Sequence, residues 1–133
     1  MTPEEYNRLY RESIDDPDKY WGGVGRQLLT WTKPFTKVYE PGTGSPFDGF
    51  KWFSDGTLNA CYNAVDRHAL KNPDKLALIW EPSDPTTTQP RSISYQELLE
   101  NVQKVAAYLR HVGVEKGDRV CLYMQTCPEA LFV

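Results

Sequence analysis

Gly22-Gly23-Val24-Gly25 and Pro41-Gly42-Thr43-Gly44-Ser45 have the small-residue composition of loops that cradle phosphate, in which backbone N–H groups point at the anion. A working loop of that kind follows a buried strand and carries a lysine and a Ser or Thr. The first stretch follows Tyr20-Trp21 inside a helical pattern, so it reads as a helix break. The second lacks the trailing lysine and precedes any α/β unit, so it reads as a flexible arm. His68 lies in a helical Asp66-Arg67-His68 run and would need a convergent partner to act as base or ligand. Cys61 is the candidate at helical spacing, and a structural histidine or a surface ion pair is the favoured reading. His111 suits the negative end of a helix dipole, and Glu97 reads as a cap rather than a general acid. Tyr6, Tyr10, Tyr20, Trp21 and Trp31, with Arg8, Arg11 and Arg26, have the residue types of a platform for single-stranded nucleic acid. Glu4, Glu5, Glu12, Asp15, Asp16 and Asp18 cancel that charge, which favours rings that dock onto a protein body instead.

The bulk properties narrow the class further. A chain of 133 residues is one domain's worth, and at that length about two thirds of the extended surface can be buried. Hydrophobic residues make up 40% and charged residues 25%, which is ordinary for a globular protein. Lys and Arg total 15 against 18 Asp and Glu, a net charge of -3 with no long single-sign run, so the basic footprint of a nucleic-acid binder is missing. No run approaches the roughly 20 apolar residues of a membrane span. The polar, acidic start Met1-Thr2-Pro3-Glu4-Glu5-Tyr6 argues against a secretory or organellar leader. Cys61, Cys121 and Cys127 are odd in number and spaced too far apart for a zinc knuckle; they read as reduced thiols, with the cytoplasm as the expected compartment and the nucleus as the other one consistent with it.

The elements that would position these residues follow from pattern. Residues 2–14 predict a helix with Tyr6, Leu9, Tyr10 and Ser13 on one face. Asp16 and Pro17 start a second helix striped by Tyr20, Trp21, Val24, Leu28 and Trp31, with Gly22-Gly23 as a weak point. From Lys33 to Phe50 prolines and glycines leave room for one strand, at Thr36–Tyr39. A short aromatic strand at Lys51–Phe53 and a Ser54-Asp55-Gly56-Thr57 turn lead into a helix over 59–71, with Leu58, Cys61, Val65 and Ala69 inward and Asn72-Pro73 as its stop. Leu76–Trp80 is apolar throughout, the pattern of a strand buried on both faces. After a surface loop over 81–90, Ser92–Tyr95 predicts a short strand. Ser94 and Glu97 make a capping box for a helix striped by Leu98, Val102, Val105, Leu109 and Val112 and stopped by Gly113. Arg119–Met124 predicts another strand, and Pro128 opens one more helix. The order helix, strand, helix, strand from residue 59 predicts an α/β domain with a parallel sheet. The apolar ending Ala130-Leu131-Phe132-Val133, without a cap, suggests a fragment.

Ordered matches along nearly the whole chain resemble short-chain acyl-CoA synthetases of the adenylate-forming ligase superfamily, acetyl-CoA synthetase above all. Tyr10 to Gly22 (Tyr-Arg-Glu-Ser-Ile-Asp-Asp-Pro-Asp-Lys-Tyr-Trp-Gly) resembles the family's opening helix pair, and Trp31-Thr32-Lys33-Pro34-Phe35-Thr36-Lys37-Val38 its extended arm. Trp52-Phe53, Gly56-Thr57-Leu58-Asn59 and Asp66-Arg67-His68 follow in order. Ile79-Trp80-Glu81, Ile93-Ser94-Tyr95-Gln96-Glu97-Leu98, Val114 to Val120, and Tyr123-Met124 with Pro128-Glu129-Ala130 complete the series. Gln125-Thr126-Cys127 stands where the family shows a Met-Pro turn, and with the individual loops at 41–49 and 82–90 it leaves acetyl- and propionyl-CoA synthetase both open.

The resemblance implies a division into an N-terminal lead, 1–58, of helices and a Pro/Gly arm, and a truncated start of the AMP-binding large domain, 59–133. It implies a ligase in which acetate or another short carboxylate attacks the α-phosphate of ATP in the presence of Mg²⁺. Coenzyme A then takes the acyl group, giving acetyl-CoA, AMP and pyrophosphate. The family's catalytic, cofactor-binding and metal residues lie C-terminal to position 133, so none is assigned to this chain, and ATP, coenzyme A and Mg²⁺ belong to the full-length enzyme. The implied partners are the remainder of the same polypeptide and the substrates acetate, ATP and CoA, without nucleic acid or membrane; self-association stays open. Two other readings stand beside this one: a standalone, non-catalytic interaction module that keeps the family's opening fold, and an adenylation domain feeding a carrier protein. The long helical lead ahead of Trp52 argues against the last.

Overall fold

The computed structural model describes residues 1–42, 44, 49–84 and 86–133, and it divides into two compact units, Met1–Ala60 and Cys61–Val133. In the first unit α1 spans Pro3–Asp15 and α2 spans Pro17–Leu28. Both begin as their sequences dictate. The Thr2 hydroxyl accepts the Glu5 N–H at 3.2 Å, and the Asp16 carboxylate accepts the Lys19 N–H at 3.0 Å, each ahead of a proline in the first turn. On α1 the expected face is only shallowly covered: Tyr6 and Tyr10 stack at the surface with centroids 6.2 Å apart, while Leu9 and Ser13 are half-buried.

The break expected at Gly22-Gly23 does not occur, and α2 runs straight through it. Gly22 and Gly25 are buried because other side chains press on them, and that packing outweighs the roughly 1 kcal/mol of propensity a helical glycine costs. Trp31, expected on the helical stripe, lies beyond the helix end. Leu29 turns extended, and the chain folds back so that the Trp31 indole N–H reaches the Gly25 carbonyl at 2.9 Å. A two-residue antiparallel ladder follows, β1 (Tyr39–Glu40) against β2 (Lys51–Trp52), with Tyr39 opposite Trp52. It starts three residues later than the strand predicted at Thr36, because the Thr36 and Lys37 N–H groups are taken by the Asp55 carboxylate.

In the second unit the helix expected over 59–71 contains a π-helical stretch, Tyr62–Asp66, followed by α3, Arg67–Lys71. Val65 and Ala69 are buried as expected, whereas Cys61 is exposed. The π turn closes on i+5 rather than i+4, which shifts the inward face and places Asn63 inside instead. β3 (Leu76–Trp80) pairs with β4 (Arg91–Ser94), and α4 (Tyr95–His111) starts at Ser94, whose hydroxyl accepts the Glu97 N–H at 3.2 Å. Val65, Ile93, Leu98 and Phe132 form the core, with Leu99, Val102 and Val105 of the α4 stripe packed against it. Gly113 supplies the helix stop at φ 88°.

The unit is mixed α and β, but its sheet is not the expected parallel one. β3 and β4 run antiparallel, with Leu78 opposite Ile93 and Trp80 opposite Arg91. The connection over 81–90 is too short for a crossover, which takes a dozen or more residues, so the chain returns directly. Nor is β3 buried on both faces: Ile79 is 66% exposed and Leu76 52%. Arg119–Met124, expected as a strand, joins no ladder among the described residues, because β3 and β4 pair only with each other. Pro128–Leu131 forms a single 3₁₀ turn that carries Phe132 into the core.

Candidate functional site

The π turn decides the chemistry around Cys61. It brings the Cys61 thiol to 3.6 Å from the Asp66 carboxylate, five residues on. Although the residue as a whole is exposed, partial desolvation of its sulfur, and then the neighbouring carboxylate, push the thiol's pKa up, so the sulfur is held protonated and is a poor nucleophile. His68 does not complete a dyad with it; its ring packs on Tyr95, with centroids 5.1 Å apart and planes tilted by 31°. Glu97 stands at the capped start of α4, and His111 lies exposed in its last turn. Beyond the Cys61–Asp66 contact, none of His68, Glu97 and His111 is brought onto the thiol.

Two glycines of the Gly22-Gly23-Val24-Gly25 stretch, Gly22 and Gly25, are packing surfaces. A Cβ on Gly22 would lie 3.0 Å from Val38 Cγ2, and one on Gly25 would lie 3.3 Å from the Phe53 ring and 3.4 Å from Phe35. The backbone there is helical, so its N–H groups are already used along α2. Of the second glycine stretch, Thr43 and Ser45 lie outside the described residues. The smooth side of α2 receives Trp31, Phe35 and Phe53, whose centroids are 4.6–5.4 Å apart in tilted and edge-on pairs. Phe53 reaches them at φ 50°. That backbone costs about 1–2 kcal/mol for a residue with a Cβ, and the half-buried ring sets against it part of the roughly 1.5–3 kcal/mol of full burial. The Arg26 guanidinium lies 4.6 Å over the Phe35 ring.

Asp55 fastens this arrangement, and the sequence reading saw in it only a turn residue. Its carboxylate accepts the Thr36 N–H at 3.0 Å, the Lys37 N–H at 3.1 Å and the Thr36 hydroxyl at 2.5 Å. Those bonds, the Thr36 hydroxyl first, lower its pKa to about 2. Glu40 is held below the usual carboxylate range by the Ser54 hydroxyl and then by Lys37, whose ammonium lies 2.9 Å away. An acid directly before Gly56 in a turn, with Thr and Lys on a Pro-rich arm, was the available signal. Nothing in the spacing specified which backbone it would meet. These polar groups close on their own chain and leave no donor set for a ligand.

The second unit carries an open apolar groove of about 460 Å³, lined by Leu78, Ile79 and Trp80 of β3 and by Met124, Pro128 and Leu131. The Trp80 indole N–H donates to the Thr126 carbonyl at 3.0 Å, and Arg91 pairs with Glu129 at 2.6 Å, which ties the 124–131 segment to the hairpin. That pair is exposed, so it orients more than it stabilises; it raises the pKa of Arg91 and lowers that of Glu129. The groove offers apolar surface and no ionisable acid or base except the Cys127 thiol.

Two family models together cover residues 6–133. One, described as acetyl-coenzyme A synthetase N-terminus, matches residues 6–64, and the other, described as AMP-binding enzyme, matches residues 65–133. The chain belongs to the AMP-binding enzyme family. Curated relatives agree. Acetyl-coenzyme A synthetase 1 of Saccharomyces cerevisiae is 52% identical over 132 residues, covering 96% of this chain and 18% of that protein. Acetyl-coenzyme A synthetase of Phycomyces blakesleeanus is 47% identical over 128 residues, with the same coverage. The Pseudoalteromonas translucida protein of that name is 42% identical over 129 residues, covering 97% of this chain and 20% of its own length. The chain thus spans about a fifth of the length of the curated relatives it matches.

The AMP-binding family implies a nucleotide. The Gly22–Gly25 stretch presents no free backbone cradle, its N–H groups being used along α2, and the described residues contain no cluster of three His, Cys, Asp or Glu side chains for a divalent cation. No helix among the described residues is long and apolar enough to cross a membrane.

Proposed function

We propose that this chain is the opening part of an AMP-forming acetate–CoA ligase, and that its own role in that enzyme is structural. The observation that carries the reading is the unbroken succession of the two family matches, residues 6–64 and 65–133. In this reading residues 1–58 are the lead and 59–133 open the large AMP-binding domain. The full enzyme uses acetate, ATP, Mg²⁺ and coenzyme A, and the groups that act on them lie outside this chain. The reduced thiols suit the cytoplasm. The apolar groove of the second unit, with Ile79 and Leu131 exposed along it, is the face on which the rest of the large domain rests.

Acetate-dependent ATP–pyrophosphate exchange tests the proposal. The 133-residue chain alone is expected to show none. A chimaera in which this chain replaces the matching 18% of the Saccharomyces cerevisiae relative is expected to exchange, since the two are 52% identical there. Exchange by the isolated chain would overturn the structural role. A soluble, folded chimaera without exchange would overturn the assignment to this ligase.

A further inference from the structure

We draw no further inference here: the strongest candidate, the apolar groove between β3 and the Met124–Leu131 segment, belongs to the docking face already proposed, and nothing in the structure shows what else covers it.

Discussion

Adding one methyl group at Gly56 tests the packing of the first unit more sharply than removing a ring would. A Cβ there would lie 2.8 Å from Trp31 Cζ3 and 2.9 Å from Phe35 Cβ, where non-bonded carbons prefer about 3.5–4.0 Å. Neither neighbour can give way cheaply. Trp31 is fixed through its indole bond to the Gly25 carbonyl, and the chain just after Phe35 is fixed by the Asp55 bonds to Thr36 and Lys37. Gly56→Ala is therefore an overpacking substitution costing about 1–3 kcal/mol. With an m-value near 2 kcal/mol per molar urea, that lowers the unfolding midpoint by about 0.5–1.5 M. Gly23→Ala is the matched control. It lies within α2 and has nothing within 4 Å of its Cβ position, so it should gain about 0.5–1 kcal/mol of helix propensity. Urea titration of the 133-residue chain, followed by tryptophan fluorescence, reads both. Opposite shifts are expected. A Gly56→Ala midpoint at or above that of the parent chain would refute the close approach of Trp31 and Phe35.

Further outcomes follow from single contacts. Asp55 is held to about 2, below the ordinary carboxylate value of 3.8, so its contribution is complete above pH 4 and fades as pH falls from about 4 to about 2. Hydrogen exchange at the Thr36 and Lys37 amides should accelerate in that window relative to intrinsic exchange, and Asp55→Asn should remove the dependence; identical pH profiles would contradict the clamp. Trp80→Phe keeps an aromatic ring in the groove but loses the bond to the Thr126 carbonyl, so the unfolding midpoint should fall by the equivalent of about 0.5–1.5 kcal/mol. No change would mean that the bond is not made in solution. Ile79→Lys should leave the stability of the isolated chain within about 0.5 kcal/mol, because the residue is exposed there. The same substitution should lower the stability of the active chimaera, where the groove is covered, and equal effects in both proteins would argue against the docking face.

Local signals were legible where one residue type had one job. Asp16 and Ser94 cap the helices they precede, and Gly113 stops α4. The α4 stripe faces the core from Leu98 to Val105. Where several forces compete, pattern alone misled. Gly22-Gly23 carries a real propensity cost, and only the positions of Val38, Phe35 and Phe53, distant in sequence, show why the helix tolerates it. The π turn at Tyr62–Asp66 has no compositional signature, so the inward place given to Cys61 passed to Asn63. The apolar run of β3 was read as a strand buried on both faces, although it is equally the pattern of a strand with one face kept for another partner.

An anchored segment beside open apolar surface in the second unit supports a framing role. In the first unit, Asp55, Glu40 and the Trp31 indole all bond within the unit, and the three buried-side rings sit on glycines that no side chain can occupy. Such a unit is self-satisfied: a change at Gly22, Gly25 or Gly56 acts on its stability before it can act on anything it binds. In the second, two polar contacts at one end of the hairpin, from Trp80 and Arg91, hold the 124–131 segment in place. The apolar side chains beside that anchor, Ile79, Met124 and Leu131, remain open. An anchored segment beside exposed apolar surface is a preformed seat, since its backbone is already ordered and covering it costs little further conformational entropy. Variants that loosen the anchor, such as Arg91→Ala with Trp80→Phe, should therefore weaken association with the rest of the large domain more than they weaken the unit itself.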